Sequence, residues 1–187
     1  MKTIVASLTV MVAGLAQAVE PLQLDFRNGD PFTAAFKALP GDAAKPMLVP
    51  TGGKPTVEDG KLVLANSRFA LGAVAEADGK IAASTGSSRP AGVLDLSRPY
   101  KIVMKVAAVE TVTAGKDNFF IYVNNSTSRG ADSPLGSGSQ LVKVSVGELK
   151  VGENVFVGKP ADASSFLQIR AESGALVKIE SLSVLPQ

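Results

Sequence analysis

The feature that most constrains this chain is a succession of short segments in which apolar and polar residues alternate. Clusters of glycine, proline, asparagine, aspartate and serine separate these segments. Alternation with a period of two places successive side chains on opposite faces of a β-strand. In residues 100–109, Ile102 and Met104 share one face, and Lys101 and Lys105 share the other. The pattern predicts an all-β fold, an antiparallel β-sandwich of jelly-roll type.

The same alternation predicts strands along most of the chain, with turn-forming residues between them. The predicted strands cover residues 22–26, 61–65, 68–74, 80–84, 100–109, 118–125, 140–146, 154–157, 166–172 and 176–185. Residues 32–39 are predicted to form one or two helical turns. Residues 43–60 are rich in proline and glycine and are predicted to be irregular.

The first eighteen residues have the composition of a targeting segment. Lys2 gives a basic start, residues 4–16 are uncharged and mostly apolar or small, and Ala16 and Ala18 suit a cleavage site. The apolar run is too short to span a membrane. We therefore expect residues 1–18 to be a signal peptide and residues 19–187 to be a single β-sandwich domain. This domain is expected to be secreted or periplasmic, with no membrane span after leader cleavage.

Two absences exclude large classes of chemistry. The chain has no cysteine and no histidine, which excludes disulfides, thiolate sites, Ser-His-Asp catalysis and zinc sites that need imidazole. No phosphate-binding loop or dinucleotide fingerprint is present. The 19 basic and 17 acidic residues give a net charge of +2, and no long basic run exists, so a nucleic-acid partner is not expected.

The sequence predicts no cofactor, but it leaves a structural calcium ion open. Asp25, Asp30, Asp59, Asp95 and Glu180 lie near predicted strand ends and carry the oxygen ligands that calcium prefers. No dense loop of aspartate, asparagine and glycine brings such ligands together, so no metal-binding residues are assigned.

Three predicted strands and one loop supply a candidate ligand-binding face. If the strands at 118–125, 140–146 and 166–172 are neighbours, their polar alternate positions form one outer face with aromatic, amide and cationic groups. Such groups suit the CH faces, hydroxyls and carboxylates of acidic sugars. Loop 124–132 extends this face. The candidate carbohydrate-binding residues are Phe120, Tyr122, Asn124, Arg129, Lys143, Gln168 and Arg170.

A structural interpretation of the same residues stays open. Phe120 and Phe166 could pack beneath a loop, and Arg170 could pair with Glu172 or another surface acid. Loop 124–132 could be a solvated connection without a ligand.

Three stretches, residues 92–102, 120–127 and 166–175, carry a family resemblance. They resemble the β-sandwich accessory modules of secreted bacterial pectate lyases and related polysaccharide-degrading enzymes, over about residues 22–185. The resemblance implies a jelly-roll-like module that holds an enzyme near plant cell-wall polysaccharide. The large catalytic β-helix of those enzymes is missing from this chain, which leaves open a free-standing relative or a fragment of a longer product.

The leading hypothesis is a secreted, non-catalytic carbohydrate-binding module for acidic, pectin-like plant cell-wall polysaccharide. Its expected partners are a polysaccharide or oligosaccharide and a lyase catalytic domain, and no catalytic residue is assigned. One alternative is a pectate lyase that acts by β-elimination, because arginine can serve as the base in lyases of that type. The other alternative is a structural or interaction protein of the cell envelope.

Overall fold

The computed structural model describes residues 22–28, 38–39, 42–46, 48–53, 55–73, 92, 94–124, 139–161, 163 and 165–187. The strands in these ranges are β1 (Leu22–Asp25), β2 (Ala38–Leu39), β3 (Asp42–Pro46), β4 (Leu48–Gly52), β5 (Thr56–Glu58), β6 (Lys61–Leu71), β7 (Tyr100–Thr111), β8 (Asn118–Asn124), β9 (Ser139–Ser145), β10 (Gly152–Gly158) and β11 (Phe166–Pro186). All described strand pairs are antiparallel, and no α-helix occurs in the described ranges. The prediction of an all-β chain is confirmed there.

Two short 3-10 turns interrupt the strands in the described part of the chain, at Phe26–Asn28 and Val146–Glu148. The second has a capping box: the Ser145 hydroxyl accepts from the Gly147 amide, and the Glu148 carboxylate accepts from the Ser145 amide. These contacts satisfy amides that lack a partner at the start of the turn, which explains why β9 ends there.

Strand β11 organises the sheet because it has different neighbours along its length. Its first half lies between β8 and β6. Its second half lies between β7 on one side and β6 and then β1 on the other. Among the described strands, β10 extends the sheet beyond β7, β9 extends it beyond β8, and β4 and β5 pair with β6. Nine strands form this sheet, and β2 and β3 form a separate pair.

Strands β6 and β11 are each continuous where two strands were predicted. The one register shift between β6 and β11 falls at both predicted breaks, because it lies between Ala171 and Leu176 on β11 and between Ser67 and Ala65 on β6. In β6, Asn66 has a positive φ of 45° and the Ala65 amide donates to the Ser67 hydroxyl. The prediction of separate strands at 61–65 and 68–74 and at 166–172 and 176–185 is therefore wrong.

The prediction of irregular structure at residues 43–60 is also wrong, since β3, β4 and β5 lie within or across that range. Strands β4 and β5 are short and pair only with β6 in the described sheet. Short strands tolerate the proline and glycine that suggested a loop. Of residues 32–39, the structure describes only the last two, which form β2. The predicted strand at 80–84 lies outside the described residues.

The inward faces of β6, β7, β8 and β11 meet in one apolar cluster. Among the described residues, Tyr100 is the largest fully buried side chain in it, and its hydroxyl has no hydrogen-bond partner there. Gly158 lies against this ring: a Cβ atom there would come within 2.0 Å of the ring. Glycine at this position therefore lets β10 approach the core closely.

Candidate functional site

Four neighbouring strands carry one row of cationic and aromatic side chains. Lys143 on β9 lies opposite Phe120 on β8, Phe120 lies opposite Arg170 on β11, and Arg170 lies opposite Arg68 on β6. Directly opposite residues of antiparallel strands project from the same side of a sheet. We call this row, together with Tyr122, the cationic face.

The Phe120 ring holds two of these cations in place. The Lys143 Nζ lies 5.9 Å from the ring centroid, and the Arg170 Cζ lies 5.5 Å from it. These distances suit cation–π attraction. The Tyr122 ring stacks beside Phe120, with centroids 5.5 Å apart and planes 13° apart. Phe120 is only 6% exposed, so its ring positions the cations and offers little surface to a ligand.

Tyr122 is half-buried and occupies the next row, opposite Gln140 and Gln168. Burial raises the pKa of its hydroxyl, and the Arg170 charge opposes that rise. The hydroxyl is therefore protonated at neutral pH and can donate a hydrogen bond. Gln168 is 2% exposed, and its Nε2 donates to the Thr51 hydroxyl at 3.4 Å. Its amide thus supports the sheet and does not face solvent.

The two other predicted site residues lie away from this row or outside the described ranges. Asn124 is 5% exposed at the end of β8, opposite Phe166, and its Nδ2 has no hydrogen-bond partner among the described residues. Arg129 lies outside the described residues. The structure therefore brings five of the seven candidates together: Phe120, Tyr122, Lys143, Gln168 and Arg170.

Among the described residues, the ion pairs of the two opposed arginines are limited to one long contact between Arg170 and Glu172. The Arg68 Nε donates to the Thr51 carbonyl at 2.8 Å, which fixes the guanidinium beside β4. The Arg170 Nη2 lies 3.9 Å from the nearer Glu172 oxygen. The other Glu172 oxygen accepts from the Asn118 side chain at 2.8 Å. The expected alternative pairing of Arg170 with Glu172 is present, at the long end of ion-pair distances.

An open depression of about 290 Å³ adjoins the arginine pair. It is lined by Gly53, Asn66, Ser67, Arg68, Arg170 and Ala171.

One wall of this depression depends on a close approach of two chain segments. Gly53 has a φ of +62°, and a Cβ atom there would come within 2.3 Å of the Asn66 carbonyl oxygen. Glycine is therefore required for β4 to approach the irregularity in β6. This approach brings the end of β4 beside the Arg68 side chain.

Three of the five acids considered for calcium contact other side chains, and a fourth, Asp59, lies in the turn between β5 and β6 with a φ of 49°. Asp25 binds Arg27, Asp95 accepts from the Ser97 hydroxyl at 2.6 Å, and Glu180 pairs with Lys105 at 2.7 Å. Asp30 lies outside the described ranges. Within those ranges, no three histidine, cysteine, aspartate or glutamate residues are grouped so that they could hold a metal ion.

Sequence reasoning missed Arg68 and Thr51. Alternation within residues 67–71 separates Arg68 from Phe69 and so offered a local signal. The pairing of Arg68 with Arg170 depends on the register between strands about a hundred residues apart in sequence, which no local pattern reveals.

No helix in the described part of the chain has the length and apolarity that a membrane crossing requires. In comparisons with models of known protein families and with curated proteins, the chain matches neither a family nor a protein.

Proposed function

We propose that this protein is a secreted, non-catalytic carbohydrate-binding module for acidic polysaccharide. The observation that carries the proposal is the direct opposition of Arg68 and Arg170 beside an open depression, in a row that continues to Lys143. Like charges opposite each other destabilise a sheet, and an anionic ligand would remove that cost.

The chemistry of the cationic face favours a carboxylated sugar. A guanidinium group binds a carboxylate through two parallel hydrogen bonds. The Tyr122 hydroxyl and the Lys143 ammonium supply further donors for ring hydroxyls or for a second carboxylate. A polymer of uronate units would offer several carboxylates in a line, as the row offers several cations.

The proposal also includes the jelly-roll fold, the export of the protein and the pectin-like ligand. The continuity of β6 and β11 through both parts of the sheet, around one apolar cluster, supports a sandwich of jelly-roll type. Residues 1–18 support export. The resemblance to lyase accessory modules supports pectin-like polysaccharide as the ligand and a lyase catalytic domain as the partner.

Affinity electrophoresis in gels containing polygalacturonate, xylan or glucan tests the proposal. We expect retardation by polygalacturonate alone, and less retardation of Arg170→Gln. The matched control is Lys178→Gln, which removes a cation from the same strand but from an ion pair with Glu58. Unchanged mobility of the wild-type protein in all three gels would refute the proposal.

A second assay separates binding from lyase activity. β-Elimination of polygalacturonate produces an unsaturated uronate that absorbs ultraviolet light. We expect no rise in absorbance, with or without calcium. A rise that is lost in Arg68→Gln or Arg170→Gln would make the protein a lyase with an arginine base.

A further inference from the structure

Strand β10 is an edge strand with unusually little protection. Among the described strands it pairs only with β7. Val155 and Val157 project from the solvent-facing side of this strand, where they are 49% and 58% exposed. Exposed edges are commonly protected by charges, prolines or bulges within the strand. Here Glu153 is the one charged residue between Gly152 and Gly158, so the strand itself carries little that would prevent pairing with a further strand.

Two exposed charged residues flank the valines. Glu153 precedes them and Lys159 follows them, and neither forms an ion pair among the described residues. Lys105, which lies opposite Glu153 on β7, is paired with Glu180 instead. A ligand for this edge should therefore offer a positive group near Glu153 and a negative group near Lys159.

A second copy of the same strand meets this requirement. When two copies of β10 pair in antiparallel orientation about Phe156, Glu153 of each copy lies opposite Lys159 of the other. The same register places Val155 opposite Val157 twice. Opposite residues project from the same side of the sheet, so both valine pairs and both ion pairs form on the exposed side. If the two strands were instead centred on Val155, Glu153 and Lys159 would each lie opposite a valine, and no ion pair would form.

We propose that the protein forms a two-fold symmetric dimer through antiparallel pairing of β10 with β10 of a second copy. The interface is isologous, since each copy supplies the same strand. The pairing joins two sheets into one continuous sheet and covers the exposed valines. It also joins two cationic faces in one particle, which would strengthen attachment to a repeating polymer through multivalency.

Charge reversal tests the register directly. Sedimentation velocity over a range of concentrations should show a monomer–dimer equilibrium for the wild-type protein. Glu153→Lys places lysines opposite each other at both ends of the interface, and Lys159→Glu places glutamates there. Each single variant should weaken the dimer by about tenfold or more.

Mixing the two single variants should restore a dimer, because each copy of Glu153→Lys then faces oppositely charged residues of Lys159→Glu. Val112→Lys is the matched control: Val112 is 59% exposed outside β10, and its replacement should leave the dimer unchanged. Circular dichroism checks that each variant is folded. A wild-type protein that stays monomeric at every concentration overturns the proposal. A dimer that neither single charge reversal weakens also overturns the proposal. A mixture of the two variants that forms no dimer does the same.

Discussion

The two halves of β11 differ in the residues that surround their outward charged side chains. In the second half, Lys178 pairs with Glu58 at 3.7 Å, and Glu180 pairs with Lys105 at 2.7 Å. In the first half, Arg170 lies opposite Arg68, and its ion pair among the described residues is with Glu172 at 3.9 Å. The ion-pair distances of Arg170 and Lys178 are similar, so the difference lies across the strands: Arg170 is opposite a second cation, whereas Lys178 is opposite Val63 and Ala108. In the proposed function, the opposed cations of the first half are the ones that bind an external anion.

Removing both opposed arginines should have the largest effect on binding. We expect Arg68→Gln/Arg170→Gln to lower affinity for oligogalacturonate by about 100-fold, which corresponds to about 3 kcal/mol, because charged hydrogen bonds are lost. The free energy of unfolding should change little, because the lost repulsion offsets the lost Arg68–Thr51 hydrogen bond and the lost Arg170–Phe120 contact. Titration calorimetry measures the affinity, and urea unfolding measures the stability.

The control for this pair is Lys105→Gln/Lys178→Gln, which removes two paired cations. It should leave affinity nearly unchanged and lower stability, the opposite pattern. Equal losses of affinity in both double variants would show that net charge alone governs binding.

The two tyrosines of the chain should also behave differently. Burial raises the pKa of Tyr100 to about 12 from its ordinary value of 10.0. Since the folded state binds this proton more tightly, its contribution to stability is complete below pH 10 and is lost between pH 10 and 12. This loss amounts to about 2 to 3 kcal/mol.

Tyr100→Phe should abolish that alkaline loss, and at neutral pH it should raise the free energy of unfolding by about 1 kcal/mol, because the buried hydroxyl has no partner. Urea unfolding at neutral and alkaline pH measures both effects. A variant that is less stable at pH 7 would indicate that the hydroxyl is satisfied.

Acid should weaken the ion pair between Asp25 and Arg27. The hydrogen bond from the Arg27 side chain holds the pKa of Asp25 at about 2, below its ordinary value of 3.8. A lowered pKa contributes stability above pH 3.8, and that contribution is lost as the pH falls towards 2. Asp25→Asn should lower stability at neutral pH and flatten the acid branch of the stability profile, as measured by urea unfolding. An identical acid branch in both proteins would contradict this assignment.

The smallest effect expected is that of the Tyr122 hydroxyl. Tyr122→Phe keeps the ring stacked on Phe120 and removes one donor from the cationic face. Affinity for oligogalacturonate should fall about fivefold, the value of one hydrogen bond, without loss of stability. Tyr100→Phe serves as the control and should leave affinity unchanged.

Local sequence patterns predicted on which side of its strand each residue lies. They did not predict features that depend on contacts between distant segments. Alternation separated Phe119, Ile121 and Val123, all in the core, from Phe120 and Tyr122. The predicted break at Ser173-Gly174 is bridged instead, since the Gly174 carbonyl accepts from Val112 and its amide donates to Lys116. Those bonds come from the turn after β7 and keep β11 continuous.

The same limit applies to the candidate site. Composition and alternation identified Arg170 and Lys143 as outward cations. Burial of Gln168 and Phe120, and the opposition of Arg68 to Arg170, follow from the register of β6, β8 and β11. Strand register is set by the complete core and is not encoded in any single segment.

Binding to polygalacturonate, compared with binding to the same polymer after methyl esterification, tests whether the opposed arginines recognise carboxylate groups. Both polymers present the same rings and nearly the same hydroxyls, and only the acid is charged. With equal salt in both titrations, we expect clear binding to the acid and loss of nearly all affinity for the ester. Equal affinity for the two polymers would contradict the assignment of the cationic face to an acidic ligand.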